Sequence, residues 1–288
     1  MLKHLFYKSD ARRRLFGSII VGVFLRVLRL LPLRLSVQIK EKSHYLGKLD
    51  YAEDTVWMTL DSISQTSRLN ACEKEPETVQ WIKNWIKEGD VFYDIGANVG
   101  AYSFVAYNVT NGNCAIYAFE PSFPNFSALN KNIIVNGCSE RIIPFNVALS
   151  DRTQILAFTV STVPGDAMNY LATQRFVQSP PASHSNRIRT HVITYRLDDF
   201  VQQFGLRTPN HIKLDVDGAE YSVLKGSLKI LRSNQLRTIL AEIDENNPEA
   251  GRIFDLLSNE SFEVLSRHQH GKSSVANYIF MRRFKDQP

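Results

Sequence analysis

Cysteine is scarce in this chain. Cys72, Cys114 and Cys138 are the only three, none forms a Cys-x-x-Cys pair, and their odd number leaves one thiol over. That argues against a disulfide framework and fits a reducing compartment. Long apolar runs are also missing near the N-terminus: the uncharged stretch Leu15 to Leu25 is eleven residues, against about 20 for a spanning helix, so a simple transmembrane segment is disfavoured. There is no internal repeat and no heptad run. Positive charge is lacking from the body. The chain carries +5 overall, but positions 1–42 hold ten Lys/Arg against Asp10 and Glu41, which is +8 and leaves −3 for the rest. A general phosphate-backbone binder is therefore excluded, and no nucleic-acid partner is expected.

What is present centres on Val91 to Gly100, reading Val-Phe-Tyr-Asp-Ile-Gly-Ala-Asn-Val-Gly. Apolar and aromatic residues from Val91 to Ile95 predict a buried strand, Gly96 and Gly100 bracket a tight turn, and a helix starts at Ala101. Strand, glycine turn and open helix N-terminus make a nucleotide-binding loop. A dinucleotide loop would read G-x-G-x-x-G, yet Asp94 stands where the first glycine belongs and Val99 where the third does; no Gly-Lys-Ser/Thr follows for a Walker A loop. An NAD-dependent oxidoreductase is thus weak. Asp94 repels phosphate and suits a cationic ligand, and D-x-G-x-N-x-G is the pattern expected for S-adenosylmethionine. Glu120, closing the next strand, stands where a carboxylate accepts from ribose hydroxyls.

The remaining pattern alternates strand and helix. Strands are predicted at Ala115 to Phe119, Arg141 to Leu149, His211 to Val216 and Leu236 to Ile243, with helices at Phe123 to Asn136, Leu197 to Phe204, Ala219 to Leu231 and Pro248 to Ser258. The fold class is α/β, a doubly wound, mostly parallel sheet. Strands Phe262 to Arg267 and Val275 to Met281 form a closing hairpin, which puts one strand antiparallel. Upstream, Leu46 to Leu69 reads as a small hairpin and Pro76 opens a helix bearing Trp81 and Trp85, core residues rather than a sugar platform. Strand-like Gln154 to Val163 and Ile188 to Tyr195 flank a loop containing Asp166, Met168, Asn169, Tyr170 and His184, which is expected to recognise the acceptor. His191, His211, His268 and His270 are scattered and read as surface or packing residues.

Val91 to Ser103, Ala118-Phe119-Glu120-Pro121, Asn146 to Asp151 and, above all, Ile212-Lys213-Leu214-Asp215-Val216-Asp217-Gly218-Ala219-Glu220 are similar to the FkbM family of S-adenosylmethionine-dependent methyltransferases, from about Pro76 to Met281. The resemblance implies a class I methyltransferase (Rossmann-like) sheet of seven strands with the last inserted antiparallel. It also implies O-methylation, typically of a hydroxyl on a sugar, glycolipid or secondary metabolite. By position it implies that Asp94, Gly96, Asn98 and Gly100 hold the methionine end, Glu120 the ribose, and Ala148 with Leu149 the adenine, with Ser103 and Pro121 also among the cofactor-binding residues. Asp217 stands where related sequences commonly have a glutamate.

An alcohol is a poor nucleophile, so a base is expected, and Asp215, Asp217 and Glu220 are the catalytic candidates. Glu220 in a first helical turn also reads as a cap. Glu242 and Asp244 add acid nearby. A divalent metal among these acids is conceivable, but no His-rich ligand set backs one and no metal residues are assigned. The expected organisation is a basic, apolar arm at 1–42, a hairpin-and-helix extension at 43–88 and a methyltransferase domain at 89–284 with an insertion at 151–195. Ser18, Gly22, Arg26 and Arg29 share a narrow face amid apolar residues, so 12–35 read as a membrane-interface helix. The alternatives for the arm are packing on the core or a signal segment, although no cleavage site follows Leu25. A cytoplasmic enzyme, peripheral on the inner face of the membrane, is expected; a catalytically inactive, membrane-attached scaffold of the same fold is the alternative.

Overall fold

The computed structural model describes residues 21–163, 165, 170–171, 187–269, 271 and 273–283. Two units separate, Met1–Tyr45 and Leu46–Pro288. In the first, positions 21–29 are helical and Leu33–Lys42 forms a second helix after Pro32. Proline fits the entry to a helix and stops the one before it.

The second unit opens with β1 (Leu46–Lys48) and β2 (Trp57–Thr59), paired antiparallel. The Asn132 and Asn136 side chains accept the Thr59 and Trp57 N–H groups at 2.7 and 2.9 Å, tying this pair to the helix Phe123–Val135 and its C-terminus. The central sheet holds β3 (Val91–Ile95), β4 (Ala115–Phe119), β5 (Ile142–Phe145), β10 (His211–Leu214), β11 (Thr238–Asp244), β12 (Phe262–Gln269) and β13 (Val275–Arg282), in the order β12-β13-β11-β10-β3-β4-β5. Neighbours from β11 through β5 are parallel, while β13 runs antiparallel to both β11 and β12. This is the seven-stranded, mostly parallel sheet with an inserted antiparallel last strand that the sequence resemblance implies. β3 is buried at every position, as a parallel strand covered on both faces must be.

Two apolar clusters cover the two faces. Phe92 joins one with Trp81, Phe104 and Leu129. Val91, Tyr93 and Ile95 join the other with Phe200, Leu224 and Ile253. The period of two along β3 therefore directs Asp94 to the side of the helix Ala101–Val109. β3 is flanked by β4 on one side and β10 on the other, so the strand order reverses there and opens a crevice at the carboxyl ends.

Two predicted elements divide. The strand expected over Arg141 to Leu149 splits into β5 and β6 (Ala148–Leu149), because the Asn146 amide donates to the carbonyls of Glu120 and Pro121 at 2.8 and 3.1 Å and turns the chain. β6 enters a separate sheet, β6-β9-β7-β8, with β7 (Gln154–Ser161), β8 (Tyr170–Leu171) and β9 (Arg187–Tyr195). The helix expected over Ala219 to Leu231 breaks into Glu220–Lys225 and Leu228–Leu231. Gly226 lies at the break, where a Cβ would stand 2.1 Å from the Ser150 carbonyl oxygen. The second piece is capped from outside: the Asp198 carboxylate accepts from the Lys229 and Ile230 N–H groups at 2.9 and 3.1 Å. Asp166, Met168, Asn169 and His184 lie outside the described residues, and Tyr170 lies in β8.

Candidate active site

The turn after β3 is shaped by what passes beneath it. Gly96 has φ +83°, and a Cβ on it would lie 1.7 Å from the Asp215 carbonyl oxygen, so only glycine fits. The Gly96 and Ala97 N–H groups donate to the Phe119 carbonyl at 2.9 and 3.0 Å, pinning the turn to the end of β4. Asn98 and Gly100 also take positive φ, 51° and 93°. Behind the turn Asp94 is buried, and its Oδ2 accepts from Ser103 Oγ at 2.6 Å. Its Oδ1 is buried with no hydrogen-bond partner. Burial pushes this carboxyl up, only partly opposed by the Lys213 ammonium and the Ser103 hydroxyl.

Glu120 follows β4, also buried. Its two oxygens accept the Asn98 and Ser122 N–H groups, each at 2.8 Å. Burial raises its pKa to about 7 against the pull of those donors, and Asp217 and Asp215 add to the rise. Each carboxylate oxygen offers a further acceptor position. Ala148 and Leu149 form the adjoining wall beyond the Asn146 turn.

On the other side of β3, Lys213 is 2% exposed, and its ammonium lies 3.0 Å from Asp215 Oδ2 and 5.1 Å from the Tyr102 ring centre. Burial disfavours its charge, but Asp215, Asp94 and Glu75 hold it firmly protonated. Burial would raise Asp215 too; the Lys213 ammonium overrides it and holds this carboxyl below its ordinary value. Glu242, near the end of β11, shows the reverse: the Asp215 charge and burial raise it to about 8, against the opposing pull of Lys213.

The crevice brings Gly96, Asn98, Glu120, Pro121, Ala148, Leu149, Asp215 and Asp217 together along one wall-to-wall lining. Asp94, Gly100, Ser103 and Glu220 stand outside this lining. Glu220 is buried, and its Oε1 accepts from the Val216 and Gly218 N–H groups at 3.2 and 3.0 Å, so it braces the turn that carries Asp217 at φ +52°. Burial raises its carboxyl to about 7.

The lining residues not singled out from the sequence include Lys213, Glu75, Arg68, Lys74 and Tyr102. Lys213 left a signal, a lone charge inside the apolar run of β10. Glu75 and Arg68 precede the nucleotide loop, and no motif marks them. His211, by contrast, is buried at the opposite edge of the sheet, with Nδ1 2.7 Å from Thr238 Oγ1 and Nε2 3.3 Å from Asp90 Oδ2. Among the described residues, no group of three His, Cys, Asp or Glu is arranged to hold a metal ion.

Residues 94–264 match the family described as methyltransferase FkbM domain. The chain is 24% identical over 175 residues to the hexuronic acid methyltransferase AglP of Haloferax volcanii, a match covering 61% of this chain and 65% of that protein, just under two thirds of its length. It is 25% identical over 204 residues to the 31-O-demethyl-FK506 methyltransferase FkbM of Streptomyces tacrolimicus, covering 63% and 75% of the two chains. With the 2-O-methyltransferase NoeI of Sinorhizobium fredii, identity is 28% over 197 residues, covering 64% and 77%.

Proposed function

The chain belongs to the FkbM methyltransferase family, and we propose that it methylates a hydroxyl oxygen of a sugar, glycolipid or other secondary metabolite, with S-adenosylmethionine as donor. The observation that carries this reading is the meeting, at the sheet's reversal point, of the Gly96 turn with the carboxylates of Glu120, Asp215 and Glu242 at the ends of β4, β10 and β11, with Asp94 buried behind the turn. Two features support the fit to the donor. The turn has no room for a Cβ at Gly96, which leaves backbone at the crevice wall, and Asp94 keeps a buried oxygen without a partner. A cationic, hydroxyl-bearing nucleoside suits that set, whereas a pyrophosphate would meet repulsion. The acceptor class draws on the relatives, which are named for a hexuronic acid, FK506 and a 2-O position.

S-adenosylmethionine supplies a methyl group on a sulfonium, leaving the protein to align the acceptor and take its proton. In this reading Asp94, Gly96, Asn98, Gly100 and Ser103 form the methionine end, Glu120 and Pro121 the ribose end, and Ala148 and Leu149 the adenine wall. Glu242 takes the acceptor's proton. Asp215 is the weaker base of the two because Lys213 stabilises its charged form, so it orients the hydroxyl by accepting a hydrogen bond. Asp217 lies on the same rim, and Glu220 positions it through the turn.

Isothermal titration of the folded protein with S-adenosylmethionine tests the donor. Saturable binding with none for NAD is expected, and failure to bind S-adenosylmethionine refutes the reading. Mass spectrometry of lipids and glycans from a deletion strain, searched for a one-methylene difference, identifies the acceptor.

A further inference from the structure

The N-terminal unit carries apolar surface that its own fold leaves open. Along positions 21–29, Val21, Phe24 and Val27 are each more than half exposed, and Leu30 and Leu33 are more than 80% exposed. The helix Leu33–Lys42 has no buried residue at all. Helical spacing sorts positions 21–29 into a narrow strip of Gly22, Arg26 and Arg29 and a broad face of Val21, Val23, Phe24, Leu25, Val27 and Leu28. In Leu33–Lys42 the side bearing Arg34, Gln38, Glu41 and Lys42 is polar, and Leu33, Leu35, Val37 and Ile39 share the rest with Ser36 and Lys40.

We infer that this surface docks on an anionic lipid bilayer, both helices lying in the headgroup layer with their apolar faces toward the acyl chains. Charge selects this occupant. Arg26, Arg29, Arg34, Lys40 and Lys42 face a single acid, Glu41, over positions 21–42, so a second copy of the same unit would bring cations against cations. A phosphatidylglycerol surface instead attracts them, and arginine stems let the charge reach the phosphates while the helix stays at apolar depth. A spanning arrangement is not supported: no helix among the described residues is long and apolar enough to cross a membrane.

Flotation of the full chain with vesicles tests this. The chain should float with phosphatidylcholine vesicles containing about a third phosphatidylglycerol, and on the order of tenfold more weakly with phosphatidylcholine alone. Phe24→Asp with Val27→Asp should reduce binding to both compositions on the order of tenfold or more, while Arg26→Glu with Arg29→Glu should abolish the preference for phosphatidylglycerol. Circular dichroism matching the wild type separates lost docking from lost fold. A chain that ignores both vesicle types, variants that bind as the wild type does, or a dimer that dissociates on Phe24→Asp without any vesicle binding would overturn the inference.

Discussion

Replacing Lys213 by methionine removes the one buried cation between two carboxylates while keeping most of the side-chain volume. The ammonium is 3.0 Å from Asp215 Oδ2, and its charge also acts on Asp94. Breaking a buried pair by deleting one partner costs about 3–5 kcal/mol; Asp215 keeps 29% side-chain exposure, so water relieves part of the loss and about 3 kcal/mol is expected. At on the order of 2–4 °C per kcal/mol for a protein of this size, the melting temperature should fall by roughly 6–12 °C at pH 8. The pH dependence has a definite sign. In the native protein Asp215 titrates below its ordinary value of about 4, so the pairing contributes fully above that value and is lost as pH falls through the native one. Without Lys213 the native carboxyl titrates above its unfolded value, and its burial costs most at high pH. The deficit of Lys213→Met should therefore shrink as pH is lowered toward 5, and Asp215→Asn added to Lys213→Met should restore part of the stability at pH 8. Thermal denaturation followed by circular dichroism at both pH values measures this. A variant melting within about 2 °C of wild type at pH 8, or a deficit that grows on acidification, would refute the reasoning.

Glu242→Gln should lower kcat with little change in S-adenosylmethionine affinity, and wild-type kcat/KM should rise with pH to a plateau with a midpoint near the free-enzyme Glu242 value of about 8, and kcat with a lower midpoint, since only the carboxylate can take a proton and the bound cation favours it; an unchanged profile in the variant would return the base role to Asp215. Gly96→Ala should weaken cofactor binding at least on the order of tenfold, because positive φ costs about 1–2 kcal/mol for alanine and the new Cβ must displace the Asp215 carbonyl; calorimetry showing normal affinity would count against the turn as a cofactor cradle. Binding of S-adenosylmethionine near pH 7 should release protons, since Glu120 at about 7 and Glu242 at about 8 ionise more readily beside a cation. Titrations in buffers of different ionisation enthalpy read that release, and Glu120→Ala should both weaken binding and reduce it.

The parts of the fold that local pattern controls were legible. β3 is an apolar strand ended by glycine, and the alternation of strands with helices admits little besides a parallel sheet. The breaks inside β5-β6 and at Gly226 were not legible, because each depends on a group distant in sequence: the carbonyls of Glu120 and Pro121 that Asn146 reaches, and the Ser150 carbonyl that passes Gly226. The same distinction holds in the crevice. Asp94 and Glu120 announce themselves by standing beside strand ends. Glu220 reads from the sequence both as a base and as a helix cap; it sits one turn beyond Asp215, where its carboxylate is drawn back onto the Val216 and Gly218 amides. Glu75 and Arg68 line the crevice from the short helical pieces before β3, and nothing in their local sequence marks that placement.

The crevice's charge balance links the altered loop to the reaction. Glu75, Glu120, Asp215, Asp217 and Glu242 line it against Arg68, Lys74 and Lys213, and Lys213 is committed to Asp215. Unrelieved repulsion and burial are why Glu120 and Glu242 hold protons near neutral pH. A phosphate-bearing dinucleotide would deepen that repulsion, whereas a sulfonium and an ammonium relieve it. On the proposed reading the acid at position 94 and the missing first glycine are one feature: the turn keeps its close backbone approach through Gly96 and exchanges phosphate for cation recognition. On that reading the same exchange prepares the proton chemistry: a cation that lowers Glu242 toward ionisation would convert it from an acid into the carboxylate that an acceptor hydroxyl requires.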